Sequence, residues 1–238
     1  GYAKSVAGPG DVDGDGYADV LVGAPNYASG GVGTGKVYLY FGSAGGPQSP
    51  AGWTDRETQI GAEFGSALGL AGDVNGDGYA DFLVGAELYD AGVLDEGKAY
   101  LYLGRSSVPL TTPSWTVEGE QEEGHFGSSL CTAGDINGDG LSEIVVGAPD
   151  YDNPDSNEGR AYVYLGATDP PTSTSTLFAD TDQAAARGGN SIASAGDVNA
   201  DGFSDVLVGA SSFDNGEVDE GVIFLFLGGP QGLAAAPG

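Results

Sequence analysis

The sequence predicts an all-β propeller array of four tandem 62-residue blades, each of mainly four antiparallel strands, on the strength of three observations. Acidic motifs begin at Asp11, Asp73, Asp135 and Asp197, each 62 residues after the one before. The apolar runs between them are too short and too rich in β-branched residues for helices. Glycine supplies 44 of 238 residues and methionine none, a composition that favours turns and short strands.

The elements of a repeat follow in order. A small-residue strand such as Phe64 to Leu70 leads into the acidic loop. The second strand is VLVGA, FLVGA, IVVGA or VLVGA, flanked by glycine. The third alternates, as in KVYLYFG, KAYLYLG and RAYVYLG, and ends at Gly42, Gly104, Gly166 and Gly228. A fourth opens at Trp53, Trp115 and Leu177. The chain is thus expected to be one unit over 1–238, with blades at about 1–62, 63–124, 125–186 and 187–238. The last blade is expected to be incomplete, because its tryptophan-equivalent position falls just past Gly238. An open sheet edge needs cover. That cover is expected either from a second copy, making an eight-bladed closed ring, or from further blades of a longer parent chain.

Charge narrows the partners. Thirty-five acidic against 7 basic side chains give a net charge of −28, which repels nucleic-acid phosphate and anionic membrane surfaces and attracts cations. No run of about 18 apolar residues is present, and no charged-then-apolar leader opens the chain, so neither nucleic acid nor membrane insertion is expected. The lone Cys131 has no partner for an internal disulfide, and its SSLCTAG setting reads as a small buried thiol. His125 is the single histidine, and no Gly-x-Ser-x-Gly elbow occurs. The chain is therefore expected not to be an enzyme. A glycosidase-like carboxylate pair is the remote alternative.

The chemistry lies in four loops: DVDGDGYAD, DVNGDGYAD, DINGDGLSE and DVNADGFSD. Oxygen side chains stand at loop positions 1, 3, 5 and 9, and position 7 offers a backbone carbonyl. The candidate metal ligands are Asp11, Asp13, Asp15, Tyr17 and Asp19 in the first loop, and Asp73, Asn75, Asp77, Tyr79 and Asp81 in the second. The third offers Asp135, Asn137, Asp139, Leu141 and Glu143, and the fourth Asp197, Asn199, Asp201, Phe203 and Asp205. Calcium takes about 6–8 oxygens with tolerant geometry, and alternate short carboxylates on a curled loop converge on one point. Four calcium sites, one per repeat, are expected, with the Ala200-bearing loop the weakest. The EF-hand alternative fails at position 12, where its bidentate glutamate is replaced by Val22, Val84, Val146 and Val208. Plain aspartate and glycine turns are the other alternative. Four copies in one phase, each gathering carboxylates that repel one another, favour the cation.

The repeats resemble the FG-GAP repeats of the integrin α-subunit propeller. Phe64-Gly65 and Phe126-Gly127 match the first signature, and Gly23-Ala24-Pro25 and Gly147-Ala148-Pro149 the second. The resemblance implies a calcium-stabilised, non-catalytic scaffold for adhesion or ligand recognition, extracellular or at the cell surface. It also implies a protein or glycan ligand on the face opposite the calcium loops, the lectin-like reading being the alternative. That face would carry the 2–3 loops, in which Asp90 with Glu96, Asp152 with Glu158 and Asp214 with Glu220 recur. They read either as aspartate-stabilised turns or as a binding rim. Arg56, His125 and Arg187, in the connections from fourth to first strand, differ between repeats.

Overall fold

A computed structural model describes residues 3–29, 32–168, 171 and 177–234, and none of these described residues lies in a helix. The first sheet is formed by β1 (Ser5–Gly10), β2 (Asp19–Ala24), β5 (Lys36–Tyr40) and β6 (Trp53–Asp55), in that order and antiparallel. Its 2–3 loop carries a two-residue hairpin, β3 (Ala28–Ser29) with β4 (Val32–Gly33). The second sheet runs β7 (Leu68–Gly72), β8 (Asp81–Ala86), β9 (Lys98–Tyr102), β10 (Trp115–Glu118). The third runs β11 (Ser129–Gly134), β12 (Glu143–Ala148), β13 (Arg160–Tyr164), β14 (Leu177–Asp180). The fourth has three strands, β15 (Gly188–Gly196), β16 (Asp205–Ala210) and β17 (Val222–Phe226). These are propeller blades, and among the described residues they do not close a ring.

One strand starts later than the sequence suggests. The expected Phe64 to Leu70 strand is Leu68–Gly72, because Gly65 takes φ +85° and breaks the run. Phe64 instead bridges in parallel to Gly35 of the preceding sheet, and Phe126 does the same to Gly97. The aromatic-glycine step is thus an inter-sheet joint. Gly97 must lack a side chain there, since a Cβ would sit 2.1 Å from the Phe126 carbonyl oxygen.

The first strands line up side by side, β1 with β7, β7 with β11 and β11 with β15, so each sheet stacks face to face on the next. Alternation sends one set of side chains forward and the other back. Leu21, Val37 and Leu39 of the first sheet share a core with Phe82, Val84, Tyr100 and Tyr102 of the second. Leu83, Ala99 and Leu101 then meet Ile144, Val146, Tyr162 and Tyr164, and Val145, Ala161 and Val163 meet Val206, Val208 and Phe226. Both faces being covered, β8 and β12 are buried along their whole length, which is why they read as unbroken apolar runs. Fully burying one such side chain contributes about 1.5–3 kcal/mol. Trp53 wedges edge-on against Phe82 and Tyr102, with centroids 5.3 and 5.1 Å away.

Candidate metal centre

Each acidic loop joins the first and second strands of its sheet, so all four lie at the same end of the array. Backbone bonds tie neighbours together there: Ala80, Ser142 and Ser204 N–H donate to the carbonyls of Asp11, Asp73 and Asp135 at 3.0, 3.0 and 2.9 Å.

The position-1 carboxylate is the hub of each loop. Asp11 accepts N–H groups of Gly14 and Gly16 at 2.8 Å and of Asp15 at 3.1 Å. Asp73 accepts from Asp77 and Gly78, Asp135 from Gly138, Asp139 and Gly140, and Asp197 from Asp201 and Gly202. The position-5 carboxylates Asp15, Asp77, Asp139 and Asp201 accept the N–H of Tyr17, Tyr79, Leu141 and Phe203, at 2.9 to 3.1 Å. This curl draws positions 1, 3 and 5 inward. In the first loop Asp11, Asp13 and Asp15 each place a carboxylate oxygen within 4.8 Å of the others. Desolvation first, then the charges of Asp15 and Asp11, hold the Asp13 carboxyl above its ordinary range.

The other loops carry asparagine at position 3. Asn75, Asn137 and Asn199 each turn the side-chain NH₂ to the position-5 carboxylate, at 3.0, 3.0 and 2.9 Å. Their Oδ1 atoms accept the position-5 N–H. These loops therefore gather fewer charges than the first. Ala200 occupies the position of Gly14, Gly76 and Gly138 and takes φ +61°, a conformation an alanine side chain disfavours.

Position 9 sits deeper than the rest. Asp19, Asp81, Glu143 and Asp205 are buried under the loop, each spanning two backbone amides. Asp19 accepts Val12 N–H and Gly42 N–H at 2.8 Å, and Asp205 accepts Val198 and Gly228 N–H, also at 2.8 Å. Asp81 does the same with Val74 and Gly104, at 2.9 and 2.8 Å. Glu143, one methylene longer, bonds Ile136 N–H at 2.8 Å but Gly166 N–H at only 3.4 Å. Burial pushes Asp81 up to about 7 against these bonds, with Asp77 and Asp73 adding to the rise. Glu143 is likewise pushed up to about 7 by burial, with Asp139 and Asp135 adding. A carboxylate carries enough lone pairs to hold two amides and still face a cation.

The position-7 residues do something the sequence did not reveal. Their side chains cover the loop of the preceding repeat: a Cβ on Gly14 would lie 2.5 Å from the Tyr79 ring, and Gly76 and Gly138 face Leu141 and Phe203 at 2.9 Å.

The opposite end carries the 2–3 loops, and their acids are turn-formers. Asp90, Asp152 and Asp214 accept the N–H five residues ahead at 2.7, 2.6 and 2.7 Å. Glu96 accepts Ala91 and Gly92 N–H. A second device joins neighbouring repeats at this end. Gln59, Gln121 and Gln183 each exchange two hydrogen bonds with the backbone of Asp90, Asp152 and Asp214, 31 residues on. Their own 62-residue spacing was the signal that could have found them. Cations stack in the same rhythm, Lys36 over Tyr27 and Tyr38, Lys98 over Tyr89 and Tyr100, Arg160 over Tyr151 and Tyr162.

Two of the three singletons meet. His125 Nδ1 lies 2.7 Å and Arg187 2.9 Å from the same Asp150 oxygen, and Arg56 is not part of this group. They line a cleft of about 340 Å³ with Glu87, Ser128 and Asn190. Cys131 is half-buried in β11, and burial pushes its thiol up to about 12, far from a reactive thiolate.

A family model for the FG-GAP repeat matches residues 5–40, 64–102, 126–164 and 188–226, which are the first three strands of each sheet with the acidic loop between. The chain is 39% identical over 163 residues to "Integrin alpha-PS2" of Drosophila melanogaster, covering 62% of this chain and 11% of that protein. It is 36% identical over 162 residues to "Integrin alpha-IIb" of Homo sapiens, 65% of this chain and 15% of that protein. With "Integrin alpha pat-2" of Caenorhabditis briggsae it shares 32% over 236 residues, 92% of this chain and 18% of that protein. The chain thus spans less than a fifth of the length of these relatives.

Proposed function

This chain belongs to the FG-GAP repeat family as an integrin-α-like array of propeller blades, and from that premise we propose that it is a calcium-stabilised, non-catalytic scaffold for ligand recognition. Each acidic loop holds one calcium ion through the side chains at positions 1, 3, 5 and 9 and the carbonyl at position 7. The observation that carries this reading is the convergence of Asp11, Asp13 and Asp15 within 4.8 Å, at the end of the array where burial pushes the Asp81 and Glu143 carboxyls up to about 7. A divalent cation relieves both the mutual repulsion and the cost of ionising the buried acid. Magnesium suits these loops less, since it demands strict octahedral geometry and retains water.

The scaffold acts outside the cell or at its surface, where calcium is plentiful, and its blades are the stretches 1–62, 63–124, 125–186 and 187–238 of one unit. A protein ligand docks on the face opposite the ions, over the 2–3 loops and the cleft at His125, Asp150 and Arg187. Melting curves with calcium, with magnesium and with chelator test the ion assignment. Calcium should raise Tm well above both other conditions by mass action on the folded state. An unchanged curve after verified metal removal would reduce the loops to turns.

A further inference from the structure

The acidic loops of the second and third repeats share a dipeptide that the first and fourth lack. Asn75-Gly76 and Asn137-Gly138 are asparagine followed by glycine, where the first loop has Asp13-Gly14 and the fourth Asn199-Ala200. Asparagine is a chemically labile residue, and a following glycine makes it more so, because a backbone nitrogen unshielded by a Cβ can attack the side-chain amide carbon and close a cyclic imide. In a folded chain the rate of that attack depends on how the loop holds the two groups.

The second loop holds them ready. Asn75 Oδ1 accepts the Asp77 N–H at 3.1 Å, which closes an aspartate-type side-chain turn and folds the amide carbon back over the Gly76 peptide. The same bond draws charge onto Oδ1, as a donor aimed at a developing oxyanion does. Asn75 Nδ2, the group that would leave, is tethered to the Asp77 carboxylate at 3.0 Å in an exposed setting. Gly76 is exposed to water, stands at φ +74° and donates its N–H to no atom among the described residues.

The third loop repeats the turn, with Asn137 Oδ1 on the Asp139 N–H at 2.8 Å, but restrains both partners. Gly138 turns its N–H to Asp135 Oδ1 at 2.6 Å, so attack on Cγ must first break a charge-assisted bond. Asn137 Nδ2 has a second hold as well, Glu143 Oε1 at 3.4 Å. In the fourth loop the attacking nitrogen belongs to Ala200, at φ +61°, and carries the screen of its Cβ.

We propose that Asn75 is a site of spontaneous deamidation in the folded chain, ahead of Asn137 and further ahead of Asn199. Gly76 N gives its proton to a solvent base and bonds to Asn75 Cγ; the Cγ–Nδ2 bond breaks, and Nδ2 takes a proton from water and leaves as ammonia. Water then opens the imide at one of its two carbonyls. Opening at Cγ leaves aspartate at 75 and turns DVNGDGYAD into DVDGDGYAD, the sequence of the first loop, with carboxylates at positions 1, 3 and 5 as in Asp11, Asp13 and Asp15. Opening at the backbone carbonyl routes the chain through the side chain as isoaspartate, and the added methylene displaces Asp77 from its bond to Asp73. The second loop thus gains a negative charge with age, and one product builds a cage while the other distorts it. The order of reaction rests on the loop's own hydrogen bonds and does not depend on a bound ion.

Incubation of the folded 238-residue chain at neutral pH, followed by peptide mapping with mass spectrometry, tests it. Aspartate and isoaspartate should accumulate at residue 75 several-fold faster than at 137, with residue 199 the slowest. The order should be the same in calcium and in chelator, which separates this result from the ion assignment. In urea, where the loop bonds are absent, residues 75 and 137 should react at similar rates. Gly76→Ala copies the residue that the fourth loop carries at this position, and its Cβ meets only the end of the Leu141 side chain, at 2.9 Å. It should suppress the reaction at 75, with circular dichroism confirming the fold. Equal rates at 75 and 137 in the folded parent chain, or a residue 75 that stays intact while 137 reacts, would overturn the assignment.

Discussion

The Asp81 carboxylate accepts the Gly104 N–H at 2.8 Å, 23 residues away, while its other oxygen accepts Val74 N–H at 2.9 Å, and so one buried acid ties the acidic loop to the exit of the third strand. The same pair recurs as Asp19 with Gly42 and Asp205 with Gly228.

Asp81→Ala should cost about 3 kcal/mol of stability, because it strands two buried amides, each at about 1–3 kcal/mol. Asp81→Asn keeps one acceptor and should cost less. Gly104→Ala should be comparably harmful without touching the acid, since its Cβ would lie 2.4 Å from the Ala80 carbonyl oxygen. Urea denaturation in calcium measures all three. Equal stability of Asp81→Ala and the parent would show that the two amides find other partners.

The glutamine staples predict a local effect. Gln121→Ala removes both bonds to Asp152, at 3.1 and 2.6 Å, in an exposed setting, so the global loss should be about 1 kcal/mol or less. Hydrogen exchange at the Asp152 amide should accelerate strongly while the β12 amides stay protected. Unchanged exchange at Asp152 would contradict the staple.

The hydrogen bond to Asp150 raises the His125 pKa above its ordinary value of about 6.5, against the lowering effect of burial. A raised folded-state pKa means the proton stabilises the fold. That contribution is fully present below about pH 6.5 and is lost as pH rises through the higher, folded value. Asp150→Asn should bring the His125 titration, followed by NMR, down towards the ordinary value and flatten stability over that window. An unshifted titration in Asp150→Asn would assign the rise to other charges.

The period, the strands and the loop grammar were legible because they obey local rules: alternation makes a strand, and alternate oxygens make a cage. Relations that cross repeats were not. The loop grammar makes Tyr79 a source of a backbone carbonyl ligand, yet its ring also packs on Gly14 of the preceding repeat, a relation visible only once sheets are stacked. The spacing marks Asp81 as a candidate cation ligand, but its two backbone amides follow only from Gly104 passing beneath the loop. The small residues after Phe64 predict a strand there, whereas Gly65 at φ +85° turns the chain and gives the Phe64 backbone to the previous sheet.

The count of bound ions tests the central claim most directly. Crystals grown in calcium and measured for anomalous scattering should show four ions per chain, one within each loop that begins at Asp11, Asp73, Asp135 and Asp197, with the Ala200 loop the least occupied. Anomalous peaks absent from these loops, or present only beside Asp11, Asp13 and Asp15, would contradict the repeated cage.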